Sequence, residues 1–510
     1  MASRRILLVW ALVGVALGVL GQTPRVGGEL VIAFGTDPES LDPNKISSAP
    51  AGMVLTHIAE TLLTMTEELE VAPLLAESWE FSEDARVLTL YLRKGVKFHD
   101  GTPFNAEAVK INLERFRRAV FQFLLYPRVQ EIEVVDEYTV KLHLDMPFAP
   151  LIAHLTHNFI AMVSPKQIAE LPEGQDIMAP VGTGPFKFHS WVRGEYVRLV
   201  KNPEYWGQPP YVDAVVFRVV PSDATRLVLL ETGQVHAIMR VPPLDAPRVA
   251  ATPGLELVKV PSVRTIYIGF NNQRAPWTDV RVRQALNYAV DKEAIVKEIL
   301  GGAGGVSTAP IMPLIFGYSA QNPYPYDPEK ARKLLDEAGI PWGFKCTLYH
   351  PTGRYMMDAA IAEAVQAYLR EVGIEAELIT MEWAAYLAFL RKPVEEATYD
   401  MFLLGWGCVT LDADYGLFPL LHSGEWPTKG WANTFYKNPQ VDALLEKGRV
   451  TVEPEARKAI YADVIKILWE DAPWLFLHYE VQINAQSTKV KGLIHHPREY
   501  ILAHRAWLEG

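Results

Sequence analysis

The fold is decided by one stretch, residues 399–445, which reads YDMFLLGWGCVTLDADYGLFPLLHSGEWPTKGWANTFYKNPQVDALL. Its apolar run, Met401 to Leu404, is too short for a helix and predicts a buried strand. The strand breaks at Gly405-Trp406-Gly407, and two carboxylates, Asp412 and Asp414, follow it. Ligands of open α/β sheets bind beyond the carboxyl ends of strands. This stretch therefore predicts one wall of a small-molecule cleft.

Strand and helix patterns alternate on the N-terminal side of this stretch. The predicted strands are residues 344–349, 374–380 and 399–404, and the helices between them are residues 354–372 and 383–390. Alternation with short connections implies a parallel sheet with right-handed crossovers. The predicted fold class is therefore α/β.

A second α/β unit precedes this one and begins with a predicted strand at residues 29–34. A strand is predicted again at residues 474–481, after which the chain is expected to return to the first unit. We therefore predict a first lobe at residues 22–264, a second at residues 265–482, and a return to the first at residues 483–510. Two crossings between α/β lobes make a hinge.

The first 21 residues have the pattern of a secretory signal peptide. Arg4 and Arg5 provide the positive start, Ile6 to Leu20 is apolar, and Gly21 completes a cleavage site before Gln22. This apolar run is short for a membrane anchor, which needs about 20 residues. No cysteine follows it to carry a lipid. We expect a soluble protein exported to the periplasm.

The bulk composition restricts the function classes. The chain has 510 residues, 49% of them hydrophobic, and a formal net charge of −11. This length allows two or three domains, and the acidic balance argues against a nucleic-acid partner. We expect a monomer.

Motifs for catalysis and for cofactors are missing from the sequence. It has no nucleophile elbow, no HExxH zinc motif and no P-loop, so we expect neither enzyme activity nor a cofactor. His495 and His496 could bind a metal, but adjacent histidines without further ligands at the right spacing favour a surface role. Cys346 and Cys408 are predicted to be separate thiols, because they lie on different strands.

Several segments together resemble one protein family. They are LAESWEFSED (75–84), LRKGVKFHDGTPFNAEAVKINLER (92–115), VGTGPF (181–186), KNPEYW (201–206), WTDVRVRQALNYAVDKEAIV (277–296) and YDPEKARKLLDEAG (326–339). The family is that of the periplasmic solute-binding proteins of ABC importers for dipeptides, oligopeptides, nickel and glutathione. WPTKGWANTFYKNPQVDALL (426–445) and ILWEDAPWLFL (467–477) are most similar to its glutathione-binding branch.

This resemblance implies two hinged α/β lobes that close over a ligand, with a subdomain inserted in the first lobe near residues 73–180. It implies a receptor that captures glutathione, or a similar small peptide, and delivers it to the transmembrane subunits of an ABC permease. The alternatives are a dipeptide or oligopeptide receptor and, with less support, a nickel-chelate or haem receptor. An exported peptidase is the alternative outside the binding class.

The resemblance also implies two positions in the ligand site. Peptide-binding relatives grip the ligand's amino group with an aspartate, and the matching position here is Val409. Dipeptide-binding relatives grip the ligand's carboxylate with an arginine, and the match is Arg354. Arg354 is predicted to lie at the start of a helix, where free amides add to anion binding.

Five further residues are candidates whose alternatives stay open. Arg264 holds a second carboxylate or is a surface arginine at the hinge. Gly35 and Thr36 offer amides and a hydroxyl or form a plain turn. Trp406 packs on the ligand or belongs to the lobe core. One of Asp412 and Asp414 is expected to cap the next helix and the other to bind an ammonium group, in an order the sequence leaves open.

Overall fold

The computed structural model describes residues 23–46, 48–119, 121–122 and 128–509. The predicted signal peptide lies outside the described residues. The strands are β1 (Glu29–Phe34), β2 (Leu63–Met65), β3 (Val71–Pro73), β4 (Ala76–Phe81), β5 (Val87–Leu92), β6 (Val129–Asp136), β7 (Thr139–Leu144), β8 (Phe186–Val192), β9 (Tyr196–Lys201), β10 (Ala214–Val219), β11 (Ala237–Ile238), β12 (Leu255–Phe270), β13 (Gly304–Val306), β14 (Phe344–Pro351), β15 (Ile374–Met381), β16 (Met401–Gly407), β17 (Trp474–Ser487), β18 (Val490–Lys491), β19 (Ile494–His496), β20 (Tyr500–Leu502) and β21 (Trp507–Leu508).

The α-helices are α1 (Ala49–Thr56), α2 (Ala106–Phe116), α3 (Leu151–His154), α4 (Pro165–Glu170), α5 (Asp223–Glu231), α6 (Ala246–Ala251), α7 (Val280–Ala289), α8 (Lys292–Ala294), α9 (Pro328–Glu337), α10 (Asp358–Glu371), α11 (Trp383–Leu390), α12 (Ala413–Leu421), α13 (Pro439–Val450) and α14 (Pro454–Asp471). A π-helical turn, Ile295–Ile299, continues α8. Within the described residues, no helix is long and apolar enough to cross a membrane.

One eleven-stranded sheet runs through the molecule in the order β15-β14-β16-β12-β17-β11-β1-β10-β9-β8, with β13 paired to β17. β14 is parallel to both β15 and β16, which confirms the predicted parallel arrangement. The predicted α/β fold class is also confirmed. β1 lies between β10 and β11 and is parallel to both. β10 and β11 are therefore not neighbours in the sheet.

Two long antiparallel strands join the two ends of this sheet. β12 has 16 residues and β17 has 14, and their pairing is irregular between Pro261 and Thr265. β17 pairs with β11 at Ala485 and Gln486, whereas β12 pairs with β16 from Arg264 onward. The predicted boundaries at 264/265 and 482/483 thus fall inside these strands. The domain division stays a prediction.

A second sheet, in the order β4-β5-β7-β6, lies within residues 73–180, the range predicted for the inserted subdomain. Helix α2 packs on it with Val109, Leu113 and Phe116 buried. The helix begins where the side chain of Asn105 accepts the backbone N–H of Ala108 at 3.0 Å, which is the usual role of an N-cap asparagine.

The two cysteines are both buried and neither forms a disulfide, which confirms the prediction of separate thiols. Burial raises the pKa of Cys346 to about 12. Its thiol therefore stays protonated near neutral pH and behaves as a small apolar side chain.

Candidate functional site

A cavity of about 80 Å³ lies at the carboxyl end of β16. Residues of the second predicted lobe form one wall: Arg354, Tyr355, Trp383, Trp406, Val409 and Trp431. Residues of the first predicted lobe and of the returning C-terminal segment face them: Ser48, Phe121, His157, Phe159 and Tyr500.

Several residues of the stretch 399–445 line the cavity. A Cβ atom on Gly405 would lie 2.8 Å from the ring of Tyr355, so only glycine allows this close approach. The indole Nε1–H of Trp406 donates to the carbonyl oxygen of Tyr415 at 2.9 Å, which fixes the ring. Trp406 and Val409 both line the cavity, and Trp406 also packs against Trp431.

Arg354 carries the unpaired charge of this cavity. Its side chain is 6% exposed, and its Nε and Nη1 atoms have no hydrogen-bond partner within the described residues. The guanidinium carbon lies 4.9 Å from the ring centroids of both Tyr355 and Trp383. Burial, and then the charge of Arg264, lower the pKa of Arg354 to about 10. It is still a cation at neutral pH and can receive a carboxylate through two parallel hydrogen bonds.

The prediction that Arg354 starts a helix is wrong. α10 begins four residues later, at Asp358, after Met357 adopts a left-handed backbone with φ of 55°. The carboxylate of Asp358 accepts the backbone N–H groups of Gly353, Arg354 and Tyr355 at 2.9–3.1 Å. These amides are therefore already used, and the guanidinium provides the attraction for an anion.

Arg264 lines the cavity, but its charge is already paired. Its Nε and Nη2 donate to the carboxylate of Glu499 at 2.6 and 2.9 Å, and its Nη1 donates to the carbonyl oxygen of Gly405 at 3.3 Å. Arg264 is 5% exposed, so the alternative of a surface arginine is wrong. Its role toward a second ligand carboxylate stays a prediction, and within the structure its partner is the carboxylate of Glu499.

Asp412 and Asp414 also have structural partners. Asp412 accepts two hydrogen bonds from Arg457, at 2.5 and 2.6 Å, and accepts the backbone N–H of Asp414 at the start of α12. Asp414 is 2% exposed and lies 3.0 Å from Nε of Arg449. The expected helix cap is therefore Asp412. Neither carboxylate lines the cavity, so the expectation that one of them binds an ammonium group gives way to a structural role.

Gly35 and Thr36 follow β1 but are not among the residues that line the cavity. A Cβ atom on Gly35 would lie 3.1 Å from Nη1 of Arg226. The choice between a ligand contact and a plain turn at these two residues stays a prediction.

Of the two adjacent histidines, His496 is buried and His495 is partly buried. His495 Nε2 lies 2.9 Å from Oε1 of Gln486, and His496 Nε2 lies 3.1 Å from the carbonyl oxygen of Thr66. Burial lowers the pKa of each to about 4. Among the described residues, no group of three or more His, Cys, Asp or Glu side chains could hold a metal ion. The expected surface role of the pair is therefore wrong.

Sequence reasoning missed most of the facing wall. Phe121, His157 and Phe159 belong to a segment with no motif, and Tyr500 lies in the short C-terminal strand β20. The signal that could have found them is the predicted return of the C-terminal segment to the first lobe. The sequence pattern placed Trp431 in the stretch 399–445 but did not predict that it lines the cavity.

Comparison with known proteins gives consistent matches over nearly the whole chain. Residues 70–428 match the model of the bacterial extracellular solute-binding proteins, family 5 middle. The glutathione-binding protein GsiB of Salmonella choleraesuis (strain SC-B67) is 34% identical over 488 residues, which cover 94% of this chain and 95% of that protein.

Solved structures match as well, and they agree with the predicted two-lobed fold. The periplasmic binding protein DppA of Helicobacter pylori, in complex with the peptide STSA, has a TM-score of 0.86 and 30% identity, covering 95% of this chain and 99% of that one. The binding protein AgaA of A. tumefaciens R10, in complex with agropinic acid, has a TM-score of 0.84 and 29% identity, with the same coverage of both chains.

Proposed function

The chain belongs to family 5 of the bacterial extracellular solute-binding proteins, and we propose that it is a periplasmic receptor for glutathione or a similar small anionic peptide. The observation that carries the choice of ligand is the buried guanidinium of Arg354, a cavity-lining residue whose Nε and Nη1 have no hydrogen-bond partner within the described residues. The 34% identity to a protein named as glutathione-binding supports it.

The charge balance of the cavity favours an anion. Arg264 is neutralised by Glu499, whereas no carboxylate of the described residues pairs with Arg354. No carboxylate stands among the cavity-lining residues in the described ranges. A buried charge is costly unless it is paired. Glutathione has two carboxylates and one ammonium group, so its net charge of −1 would match the single unpaired guanidinium.

The aromatic side chains that line the cavity suit the ammonium group of such a ligand. Trp406, Tyr415 and Trp431 line the cavity, and the ring of Trp406 packs against the other two. Ring faces attract cations, with contributions of about 0.5–2 kcal/mol. We propose that these rings receive the ligand's ammonium group, which the aspartate of peptide-binding relatives would otherwise hold. Val409 leaves that position uncharged.

Transport would follow from closure of the lobes. The cavity has a wall from each predicted lobe, so a ligand that touches both favours the closed form through its differential affinity. We propose that the closed receptor, as an exported monomer, docks on the transmembrane subunits of an ABC permease. The ligand would leave chemically unchanged.

Isothermal titration calorimetry on the chain from Gln22, refolded from guanidinium chloride to release carried-over ligand, tests the choice of ligand. Reduced glutathione, glutathione disulfide and the dipeptide Met-Leu would be titrated. We expect heat with a glutathione form and a weaker response with Met-Leu. Binding of Met-Leu with no heat from either glutathione form would refute the proposal. Native mass spectrometry of the protein before refolding would identify any retained ligand.

A second candidate is a carboxylic acid without a free ammonium group. The unpaired Arg354 and the lack of a lining carboxylate in the described residues favour it. AgaA, with agropinic acid bound, is a structural neighbour at 29% identity. Adding agropinic acid to the titration panel distinguishes it from glutathione.

A further inference from the structure

A second buried polar group faces the cavity, on the side opposite the wall that contains Arg354. His157 lines the cavity and is 2% exposed, and its Nε2 has no hydrogen-bond partner within the described residues. Its Nδ1 accepts the backbone N–H of Phe159 at 3.2 Å. A neutral imidazole whose Nδ1 accepts a hydrogen bond carries its proton on Nε2. The unpartnered atom is therefore a donor.

The surrounding rings hold this donor in place. The ring centroid of His157 lies 3.9 Å from that of Phe159 and 5.5 Å from that of Tyr415. Burial first, and then the charges of Arg498 and His154, keep the pKa of His157 well below its usual value, against a smaller opposing effect of the neighbouring Asn158 side chain, which meets no hydrogen-bond criterion with Nε2. The ring is therefore neutral at physiological pH.

An unmet donor in a buried site costs about 1–3 kcal/mol. Since the ring is packed and the backbone of Phe159 occupies Nδ1, this cost is removed when an acceptor enters the cavity beside Nε2. Arg354, in the wall from the second predicted lobe, also has donors without a partner within the described residues, but it carries a full positive charge. A carboxylate forms stronger hydrogen bonds with the charged guanidinium than with a neutral imidazole, so we expect the two groups to bind different parts of the ligand.

We infer that His157 is a specificity-determining donor, which gives its Nε2–H to a carbonyl or carboxylate oxygen of the ligand while Arg354 holds a carboxylate. This inference rests on the proposed function and defines its ligand class: a peptide-like anion with a second acceptor, distinct from the anchored carboxylate. A ligand that meets both groups touches both predicted lobes, so the pair also couples recognition to closure.

The first test needs no ligand. In protein labelled with ¹⁵N at histidine, a long-range ¹H–¹⁵N spectrum shows the tautomer of each ring, and the signal missing from His157→Gln identifies His157. We expect a neutral Nε2–H form in the refolded protein from pH 6 to 8. A charged ring or the Nδ1–H form would overturn the inference whatever the ligand is.

The second test measures affinity for reduced glutathione by calorimetry. H157F keeps an aromatic ring but removes the donor, and we expect affinity to fall about tenfold. H157Q retains an amide donor and should recover part of this loss. H189F, at an exposed histidine of β8, is the matched control and should leave affinity unchanged. Equal affinity of H157F and wild type, with both folded, would contradict the inference.

Failure of the ligand proposal remains distinguishable from failure of this inference. If wild type gives no heat with either reduced glutathione or glutathione disulfide, the proposed ligand is wrong. The same three variants are then titrated with Met-Leu and with agropinic acid. Loss of affinity in H157F alone supports the donor role for whichever of these binds. Unchanged affinity, or a tautomer other than Nε2–H, excludes it.

Discussion

Arg264 of β12 and Glu499 form a buried ion pair with two hydrogen bonds, Nε to Oε1 at 2.6 Å and Nη2 to Oε2 at 2.9 Å. Burial alone would raise the pKa of Glu499, but the neighbouring guanidinium lowers it to about 2. Glu480 lies 3.6 Å from the same Nε atom, and burial together with Glu499 raises its pKa. This pair connects the strand that joins the two ends of the sheet to the C-terminal segment.

Removing the charge of Glu499 should destabilise the protein strongly. E499Q leaves Arg264 buried without its main partner, and breaking such a pair costs about 3–5 kcal/mol. Urea denaturation measures this loss. E29Q is the control, because the Arg198–Glu29 pair, at 3.0 Å, is partly exposed and should contribute less than about 1 kcal/mol. Similar losses in both variants would contradict a structural role specific to Glu499.

Replacing Arg354 should have opposite effects on binding and on stability. R354M removes the anion anchor, and loss of hydrogen bonds to a charged group predicts at least about tenfold weaker binding of glutathione. It also removes an unpaired buried charge, so the melting temperature of the ligand-free protein should rise by a few degrees. R354K should bind glutathione weakly, because lysine lacks the planar guanidinium group that can donate two hydrogen bonds to one carboxylate.

Calorimetry and thermal unfolding give these two readouts for Arg354. R505M, at an exposed arginine paired with Glu67 at 3.7 Å, is the control and should change neither. Unchanged affinity of R354M would remove Arg354 from the ligand site.

Asp412 should matter for folding rather than for binding. D412N retains an oxygen that can cap α12 but loses the charge that pairs with Arg457, so it should destabilise by about 3 kcal/mol. Affinity of the folded fraction for glutathione should stay within about twofold. Weaker binding in D412N with normal urea stability would restore the sequence-based role of an ammonium ligand.

Introducing a carboxylate at Val409 should change ligand preference. V409D places a negative charge among the cavity-lining residues that include Arg354. A charge of this sign repels net anions and can pair with an ammonium group. We expect affinity for glutathione to fall and affinity for Met-Leu to rise. V409N, which has a similar shape without the charge, should not show the gain, and an unchanged profile in V409D would mean that Val409 does not set selectivity.

Glu60 should make stability depend on pH. Burial raises its pKa from 4.5 to about 7, against the effect of hydrogen bonds from Tyr205, Trp206 and Thr183. Its folded pKa is above the unfolded value, so its contribution is complete below pH 4.5 and is lost as the pH rises through 7. This loss amounts to about 3 kcal/mol.

The pH effect of Glu60 is isolated by comparing wild type with E60Q. Urea denaturation at pH 5 and pH 7.5 should show wild type losing more stability than E60Q between the two conditions, because glutamine does not ionise. Equal slopes for the two proteins would mean that Glu60 stays protonated, or is accommodated as a carboxylate, throughout this range.

Local sequence patterns predicted the elements near the site well. The apolar run at Met401–Leu404 is part of β16, and the alternation around it produced the observed parallel strands β14, β15 and β16. These predictions succeeded because strand and helix periodicity is visible within a few residues. The start of α10 was misplaced, because the hydrogen bonds from Asp358 to the amides before it hold a loop that periodicity does not show.

The sequence by itself determined the α/β class, the position of the cavity at the end of β16 and, through the family motifs, the choice of Arg354 and Val409 as candidate ligand-binding positions. The tertiary structure alone decided which charges are already paired. Arg264 meets Glu499 across 235 residues, and Asp412 meets Arg457 across 45. It also brought His157 to face the same cavity. Since the pairing of a charge depends on distance in space, a residue's position in the chain does not reveal whether its charge is free to bind a ligand.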